Sequence, residues 1–452
     1  MTYIMLNISI IDEAFTIILP IITDKNKFLD TSTFYKLLMT SKKMKEIFVN
    51  LPIQIYLKKS FINNNEIFDS INNAIINYRI VSLDLIFLQS EKLKKILGVQ
   101  GLCTSLTELN LSLNSNFIKD EGAKSLSEAQ VPWSLLTKLN LSNNDLRPIG
   151  TENITQLLTQ CNKLNHLNLS GNFIKDEGAK SLSRVLPLFT SLTHLNLSFN
   201  KIKEEGALSL SKAMGYRQCA MLVYLNLGYN SIGSKGAKSL ARFIKHCTAL
   251  KEVDLNFNCF EEEGAESLMP ALGQCTSLTN LNLSNNLIGP KGNEHFIKVI
   301  GQFSTLTHLN LFQNLIKSEG VKSLFEMLVH NQVLTYLNIG LNRIGPEGAT
   351  SFAEMLGQCS TLTHLDISLN GIGPDGAKSL AGVFQQCRNL ALAHLDLSSN
   401  EIGLDGAKSL TGVLLQCSSL THLDLGRNLL GSDGAKSLSE VLSQCHNLKL
   451  II

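Results

Sequence analysis

Residues 192–207 read LTHLNLSFNKIKEEGA. Leu192, Leu195 and Leu197 end on a two-residue alternation, the period of a strand with one buried face. After Leu197 the chain must turn, which leaves backbone N–H and C=O groups outside any ladder. Asn200 follows, and its amide carries both donors and acceptors, so it can satisfy such groups. Ile202 then plugs the core below the turn. Gly206 lets the chain enter a helix at little steric cost.

The same phrase recurs along the chain. An asparagine stands in this setting at Asn116, Asn144, Asn172, Asn200, Asn230, Asn258, Asn286, Asn314, Asn342, Asn370, Asn400 and Asn428. Successive gaps are 28 residues except two of 30, Asn200 to Asn230 and Asn370 to Asn400. A glycine comes six residues after each, from Gly122 to Gly434. The consensus is LTHLNLSxNxIGxxGAKSLxxxLxxC. In GAKSLSRVL, Ala179, Leu182 and Leu186 have helical spacing and face inward, while Lys180, Ser181 and Arg184 face solvent. No unit can bury both its strand and its helix alone, so neighbours must stack. Asn172, Asn200, Asn230, Asn286, Asn342 and Asn370 are then structural members of one column. Strands repeat about every 4.8 Å, whereas packed helices need about 8–10 Å. That mismatch bends the stack into a horseshoe with the parallel sheet inside.

These units resemble the ribonuclease-inhibitor-like class of leucine-rich repeats, with a helix on the convex side. The resemblance covers about Leu102 to the C-terminus. It implies an α/β solenoid, a parallel sheet on the concave face and a role in binding another protein. It says little about which one, because the fold serves many partners. The same repeat type occurs in activators of the Ran GTPase and in inhibitors of ribonuclease, so GTPase activation and enzyme inhibition stand as alternative readings.

The region before the repeats divides in two. Ile80, Leu83 and Leu85 copy the strand pattern without the asparagine, and a helix-like stretch from Ser90 to Leu97 follows. Residues 80–101 therefore read as a degenerate capping repeat before the twelve units of 102–452. At the other end Cys445, Leu448 and Ile451 begin another strand. Residues 1–79 are rich in Ile, Asn, Lys and Phe and read as a small helical segment. Within it, residues 29–48 (LDTSTFYKLLMTSKKMKEIF) resemble the second half of an F-box, with Leu29, Phe34, Leu37, Leu38, Ser41, Lys42, Met44 and Ile47 in its slots. The Leu-Pro pair that opens that family falls late here, at Leu19 and Pro20. The resemblance implies that residues 14–48 dock a Skp-type adaptor and that the chain recruits substrates to a ubiquitin ligase. A plain helical cap is the alternative. The Gly-Ala-x-Ser-Leu phrase also resembles F-box and leucine-rich-repeat effectors that intracellular bacteria deliver into host cytoplasm.

Composition narrows the classes further. At 452 residues the chain exceeds one ordinary globular core, as a repeat array does. A net charge of +2 is too small to point to nucleic acid or an anionic membrane. The apolar start lacks a basic region and is interrupted by Asp12 and Glu13, unlike a signal peptide. A cytoplasmic monomer is expected. Nine of the ten cysteines recur just before the strand, where free cysteine acts as a small buried hydrophobe.

His166, His194, His308, His364, His394 and His422 share one outward strand position. Two residues on, along the same face, stand Asn168, Asn196, Asn310, Asp366, Asp396 and Asp424. The last three repeats thus carry a His column beside an Asp column, with side chains about 5 Å apart. This is a pH-sensitive contact patch, a weak metal site, or, most simply, solvated polar positions copied by duplication. Aromatics on the same face point to partner binding. Phe199, Tyr229 and Phe257 immediately precede the asparagine in consecutive repeats. Tyr224 and Tyr336 replace the histidine, and Phe312 replaces a serine. Trp133 falls in an irregular unit and reads as packing. No phosphate-binding loop, nucleophile elbow or metal-ligand pair appears, so neither an enzyme nor a cofactor is expected.

Overall fold

The computed structural model describes residues 53–57, 80–85, 106–111, 118–129, 131, 133–300, 303–328, 331, 333–386, 391–414, 419–442 and 448–452. The chain forms two units, Met1–Asn200 and Lys201–Ile452.

In the first unit the strands are β1 (Ile53–Leu57), β2 (Ile80–Leu85), β3 (Glu108–Asn110), β4 (Lys138–Asn140), β5 (His166–Asn168) and β6 (His194–Asn196). Helices α1 (Lys119–Glu128), α2 (Arg147–Leu158) and α3 (Lys175–Ser183) alternate with the later strands. Each strand pairs in parallel with the next. The register aligns one residue per unit: Leu83 faces Leu109, then Leu139, Leu167 and Leu195. A one-residue slip would turn every such leucine out of the core, which is why the repeat fixes the register.

The second unit runs α4 (Glu204–Ala213), α5 (Tyr216–Met221), β7 (Tyr224–Asn226), α6 (Gly233–Ile244), β8 (Glu252–Asp254), α7 (Glu261–Leu272), β9 (Asn280–Asn282) and α8 (Gly289–Ile300). It continues as β10 (His308–Asn310), α9 (Lys317–Leu328), β11 (Tyr336–Asn338), α10 (Gly345–Leu356), β12 (His364–Asp366) and α11 (Gly373–Gln386). Then come β13 (His394–Asp396), α12 (Gly403–Leu414), β14 (His422–Asp424), α13 (Gly431–Leu442) and β15 (Lys449–Ile451). The strands again pair in parallel in chain order. Each unit is therefore an α/β solenoid of parallel strands and intervening helices, the architecture the repeat implies.

Within 1–79, read from sequence as helical, the described residues are Ile53–Leu57, and they form a strand against β2. Two local features explain the difference. Pro52 disfavours helix in the residue before it, and Ile53, Ile55 and Leu57 alternate with Gln54 and Tyr56. Residues 14–48 lie outside the described residues, and so do Ser90 to Leu97.

The asparagines stand in file. Asn172 Oδ1 accepts the backbone N–H of Asn144 at 2.8 Å, and Asn200 Oδ1 accepts that of Asn172 at 2.9 Å. In the second unit the same bond links Asn258, Asn286, Asn314, Asn342, Asn370, Asn400 and Asn428 in sequence, at 2.7–3.1 Å. Within each unit Nδ2 donates to carbonyls of its own turn and of the preceding one; Asn342 Nδ2 reaches Ile339 O and Leu311 O at 2.9 Å. Asn230 Oδ1 accepts from Ile202 N at 2.9 Å, the same bond that Asn172 Oδ1 takes from Leu146 N and Asn314 Oδ1 from Ile288 N at 3.4 Å. Asn116 lies outside the described residues.

The glycine six residues on does a different job from the one its sequence position implies. Gly376, Gly406 and their counterparts sit inside helices with ordinary backbone angles, and their missing side chain permits close packing. A Cβ on Gly406 would stand 2.5 Å from Ile402 Cγ2 and 3.0 Å from Ala377 Cβ of the preceding helix. The left-handed conformation falls instead at the positions one before, one after and three after the asparagine, as at Leu369, Gly371 and Gly373. Ser181, expected to face solvent, is buried. Its helix α3 packs against α2, so the covered stripe is wider than an isolated amphipathic helix requires. Cys161, Cys219, Cys247, Cys275 and Cys359 are buried and free, with Phe303 buried at the same repeat position. Burial pushes the Cys161 and Cys275 thiols up to about 12. Trp133 is buried in a short 3-10 turn.

Candidate protein-binding surface

Three side chains per repeat decorate the open face of the sheet: the two outward strand residues and the residue just before the asparagine. In the second unit the first position builds a ladder of rings. His308 and Tyr336 lie 5.6 Å apart between ring centroids, and Tyr336 and His364 lie 6.2 Å apart. His364, His394 and His422 stack at 4.1 and 4.2 Å with planes 11° apart. In the first unit His166 and His194 stack at 3.9 Å. Parallel pairing in register produces these contacts, because equal positions on adjacent strands face each other about 4.8 Å apart.

The preceding threonine fixes the imidazole tautomer. Thr363 Oγ1 donates its single proton to Thr335 O at 3.0 Å and also lies 2.9 Å from His364 Nδ1. Nδ1 must therefore be the donor in that second contact, leaving Nε2 as the acceptor. Thr421 and His422 repeat the arrangement, at 3.1 Å to Ala393 O and 3.0 Å to Nδ1. Ala393 breaks it, and His394 Nδ1 is buried with no hydrogen-bond partner. Burial, and then the neighbouring His364 and His422, hold His394 below the usual imidazole range.

The second outward position has a structural duty that sequence reasoning missed. Its Oδ1 accepts the backbone N–H two residues on. Asp396 takes Ser398 N and Asp424 takes Gly426 N, both at 2.8 Å, and Asp366 takes Ser368 N at 2.9 Å. Asn168, Asn282 and Asn310 do the same at 3.0–3.1 Å. The signal was available: every unit carries Asn or Asp there, the residues that cap such turns. Asp366 Oδ2 also accepts from Asn338 Nδ2 at 2.7 Å. Burial raises the Asp366 and Asp254 carboxyls.

The expected aromatics separate into two groups. Phe199 is 51% exposed, and Tyr229 and Phe257 are each 40% exposed. Tyr229 and Phe257 stack at 4.3 Å. All three occupy left-handed backbone, with φ of 51–56°, a conformation that bulky side chains rarely adopt. Phe312 instead lies over the next turn, so that a Cβ on Gly340 would come within 2.9 Å of its Cδ2. Tyr224 accepts a hydrogen bond from Asn226 Nδ2 at 3.2 Å and, with Glu252, Asp254 and His308, lines one open groove that ends at Tyr336. A second groove runs from Tyr336 across β12–β14 to Lys449 and Ile451. Exposed apolar residues that sequence reasoning overlooked flank the asparagines at Phe173, Leu287, Leu369 and Leu429. Among the described residues, no cluster of three His, Cys, Asp or Glu side chains could hold a metal ion, and no helix is long and apolar enough to cross a membrane.

Eleven segments match the family model described as leucine rich repeat: residues 102–127, 160–183, 190–211, 218–241, 246–269, 274–294, 304–325, 330–353, 358–381, 389–410 and 416–439. The chain belongs to the leucine-rich repeat family. The unit around Asn144 is left unmatched; it carries Ile149 where the other units have a charged residue, yet keeps its asparagine in the leucine-rich repeat file. No curated protein matches the chain. Solved structures similar to it include Rad7 and Elc1 from yeast, at 18% identity, covering 98% of each chain, with a TM-score of 0.47. Another is actin-binding site 2 of leiomodin-1, at 19% identity and a TM-score of 0.30, covering 34% of this chain and 88% of that one.

Proposed function

We propose that this leucine-rich repeat protein is a scaffold that holds a partner protein on the open face of its sheet. The stacked Tyr229–Phe257 pair carries the reading. Two large aromatic rings are exposed on a backbone conformation that disfavours them, where Asn143 and Asn285 fill the same repeat position with a better-suited residue. A costly, exposed aromatic pair is the composition of an interface hot spot. Around it, Tyr224 and Tyr336 extend the contact surface, and His364, His394 and His422 with their aspartates continue it towards the C-terminal repeats. The F-box-like residues, Leu29 to Met44, would dock a Skp-type adaptor and present the held protein to a ubiquitin ligase, in the cytoplasm of the cell or of an infected host. No step of this function requires catalysis by the chain or a cofactor.

The test is affinity capture with the full chain and with Tyr229→Ala/Phe257→Ala, followed by mass spectrometry. The wild-type chain should retain a protein that the double variant releases, with both chains equally folded by circular dichroism. Identical recoveries would sink the reading. Capture of purified Skp-type adaptor by the full chain, lost on Leu37→Ala/Leu38→Ala substitution, tests the adaptor half separately.

A further inference from the structure

The groove between Tyr336 and Lys449 differs in chemistry from the rest of the face. Its wall pairs the ring ladder with three consecutive carboxylates, Asp366, Asp396 and Asp424, opposite one another in register. The turn they cap uses only Oδ1, and an asparagine supplies that acceptor equally well at 282, 310 and 338. Exchanging amide for carboxylate replaces an Nδ2 donor by a charged acceptor and sets like charges on adjacent strands, about 4.8 Å apart, where they repel. At Asp366 the second oxygen takes Asn338 Nδ2 at 2.7 Å, but the turn caps of Asp396 and Asp424 need only Oδ1. A cation bound between the carboxylates would relieve the repulsion.

The rings suit the same ligand. Neutral imidazoles with Nδ1 protonated, as at His364 and His422, offer Nε2 as an acceptor, and Tyr336 closes the groove with an aromatic face. A guanidinium both stacks on flat rings and pairs with carboxylates through its fork of donors. The one cation lining the groove, Lys449, stands at its far end beside His422.

Resting on the scaffold reading above, we infer that the β11–β14 wall receives an arginine- or lysine-bearing segment of the partner protein, its cationic side chains held between the carboxylate ladder and the ring ladder. This sets the sign of charge on the partner.

The test uses the full chain and fluorescein-labelled nonaarginine and nonaglutamate peptides, read by anisotropy in about 150 mM salt, where distant charges are screened. Nonaarginine should bind saturably, and nonaglutamate should not. Asp396→Asn/Asp424→Asn keeps both turn caps and should weaken nonaarginine by about tenfold or more, roughly 1.4 kcal/mol. Asp405→Asn/Asp433→Asn removes the same charge from α12 and α13 and should change it less than about twofold. Equal affinity in the first double variant, equal loss in the second, or preference for nonaglutamate would each overturn the inference. If it fails while partner capture still depends on Tyr229 and Phe257, the scaffold reading survives; failure of both removes both.

Discussion

Asn286 Oδ1 accepts the backbone N–H of Asn258 at 3.0 Å, while Asn286 Nδ2 donates to Leu255 O and Leu283 O at 2.9 Å. One buried amide thus joins two consecutive turns at three points. Asn286→Ala leaves the buried Asn258 N–H unpaired, which costs about 1–3 kcal/mol, while Leu255 O and Leu283 O each lose one donor and keep Asn258 Nδ2 and Asn314 Nδ2. The variant should be destabilised by about 1–3 kcal/mol, read as a lower urea midpoint. Asn286→Asp should also destabilise, because a carboxylate oxygen would face two carbonyls. Asn282→Asp on the open face should be tolerated, as Asp at 366, 396 and 424 shows. Equal effects at 282 and 286 would contradict the assignment of roles.

Glycines of two kinds occur in the helices. Gly406 has Ala377 and Ile402 where a Cβ would go, whereas Gly412 has nothing within 4 Å. Gly406→Ala should lower stability by about 1–3 kcal/mol through overpacking. Gly412→Ala, also in α12, should raise it by about 0.5–1 kcal/mol, because alanine loses less entropy in a helix. Thermal melts of the two variants check the contrast in sign.

His394 is held below the usual imidazole range by burial and by His364 and His422. Protonation therefore favours the unfolded chain, where histidine titrates near about 6.5. The stability that neutral His394 contributes is complete above about that pH and is lost as the pH falls from there towards the folded-state value. His394→Asn should flatten the acid side of the stability–pH curve. Ala393→Thr should supply the missing partner for Nδ1 and stabilise by about 0.5–1.5 kcal/mol at neutral pH. Ring-proton NMR titration of His394 reads the shift directly; a normal midpoint would refute it.

Phe257 sets a left-handed backbone penalty, about 1–3 kcal/mol, against a ring stack worth about 0.5–1.5 kcal/mol. Phe257→Asn removes both, so the melting temperature should hold or rise while partner retention falls. A large loss of stability would recast Phe257 as a packing residue.

The asparagine file, the buried cysteine position and the strand register were legible because each is a local pattern repeated with a fixed period. What escaped was set by contacts between repeats. Gly406 shows its purpose only when Ala377 of the preceding helix is placed beside it. Ser181 is buried in a helix that packs against α2, a contact its own helix does not reveal. Asp396 and Asp424 read as pure surface charge until their bonds to the next turn appear. Phe312 was grouped with Phe257 by type, yet it lies across Gly340 while Phe257 stacks in the open.

The central claim is that the open face of the sheet is where the partner sits. Hydroxyl-radical footprinting of the full chain, alone and with its captured partner, tests it most directly. Tyr229, Phe257 and Tyr336 should lose reactivity in the complex, with the helical side unchanged. Undiminished reactivity at those three residues, with protection confined to helices such as α12 and α13, would contradict the account.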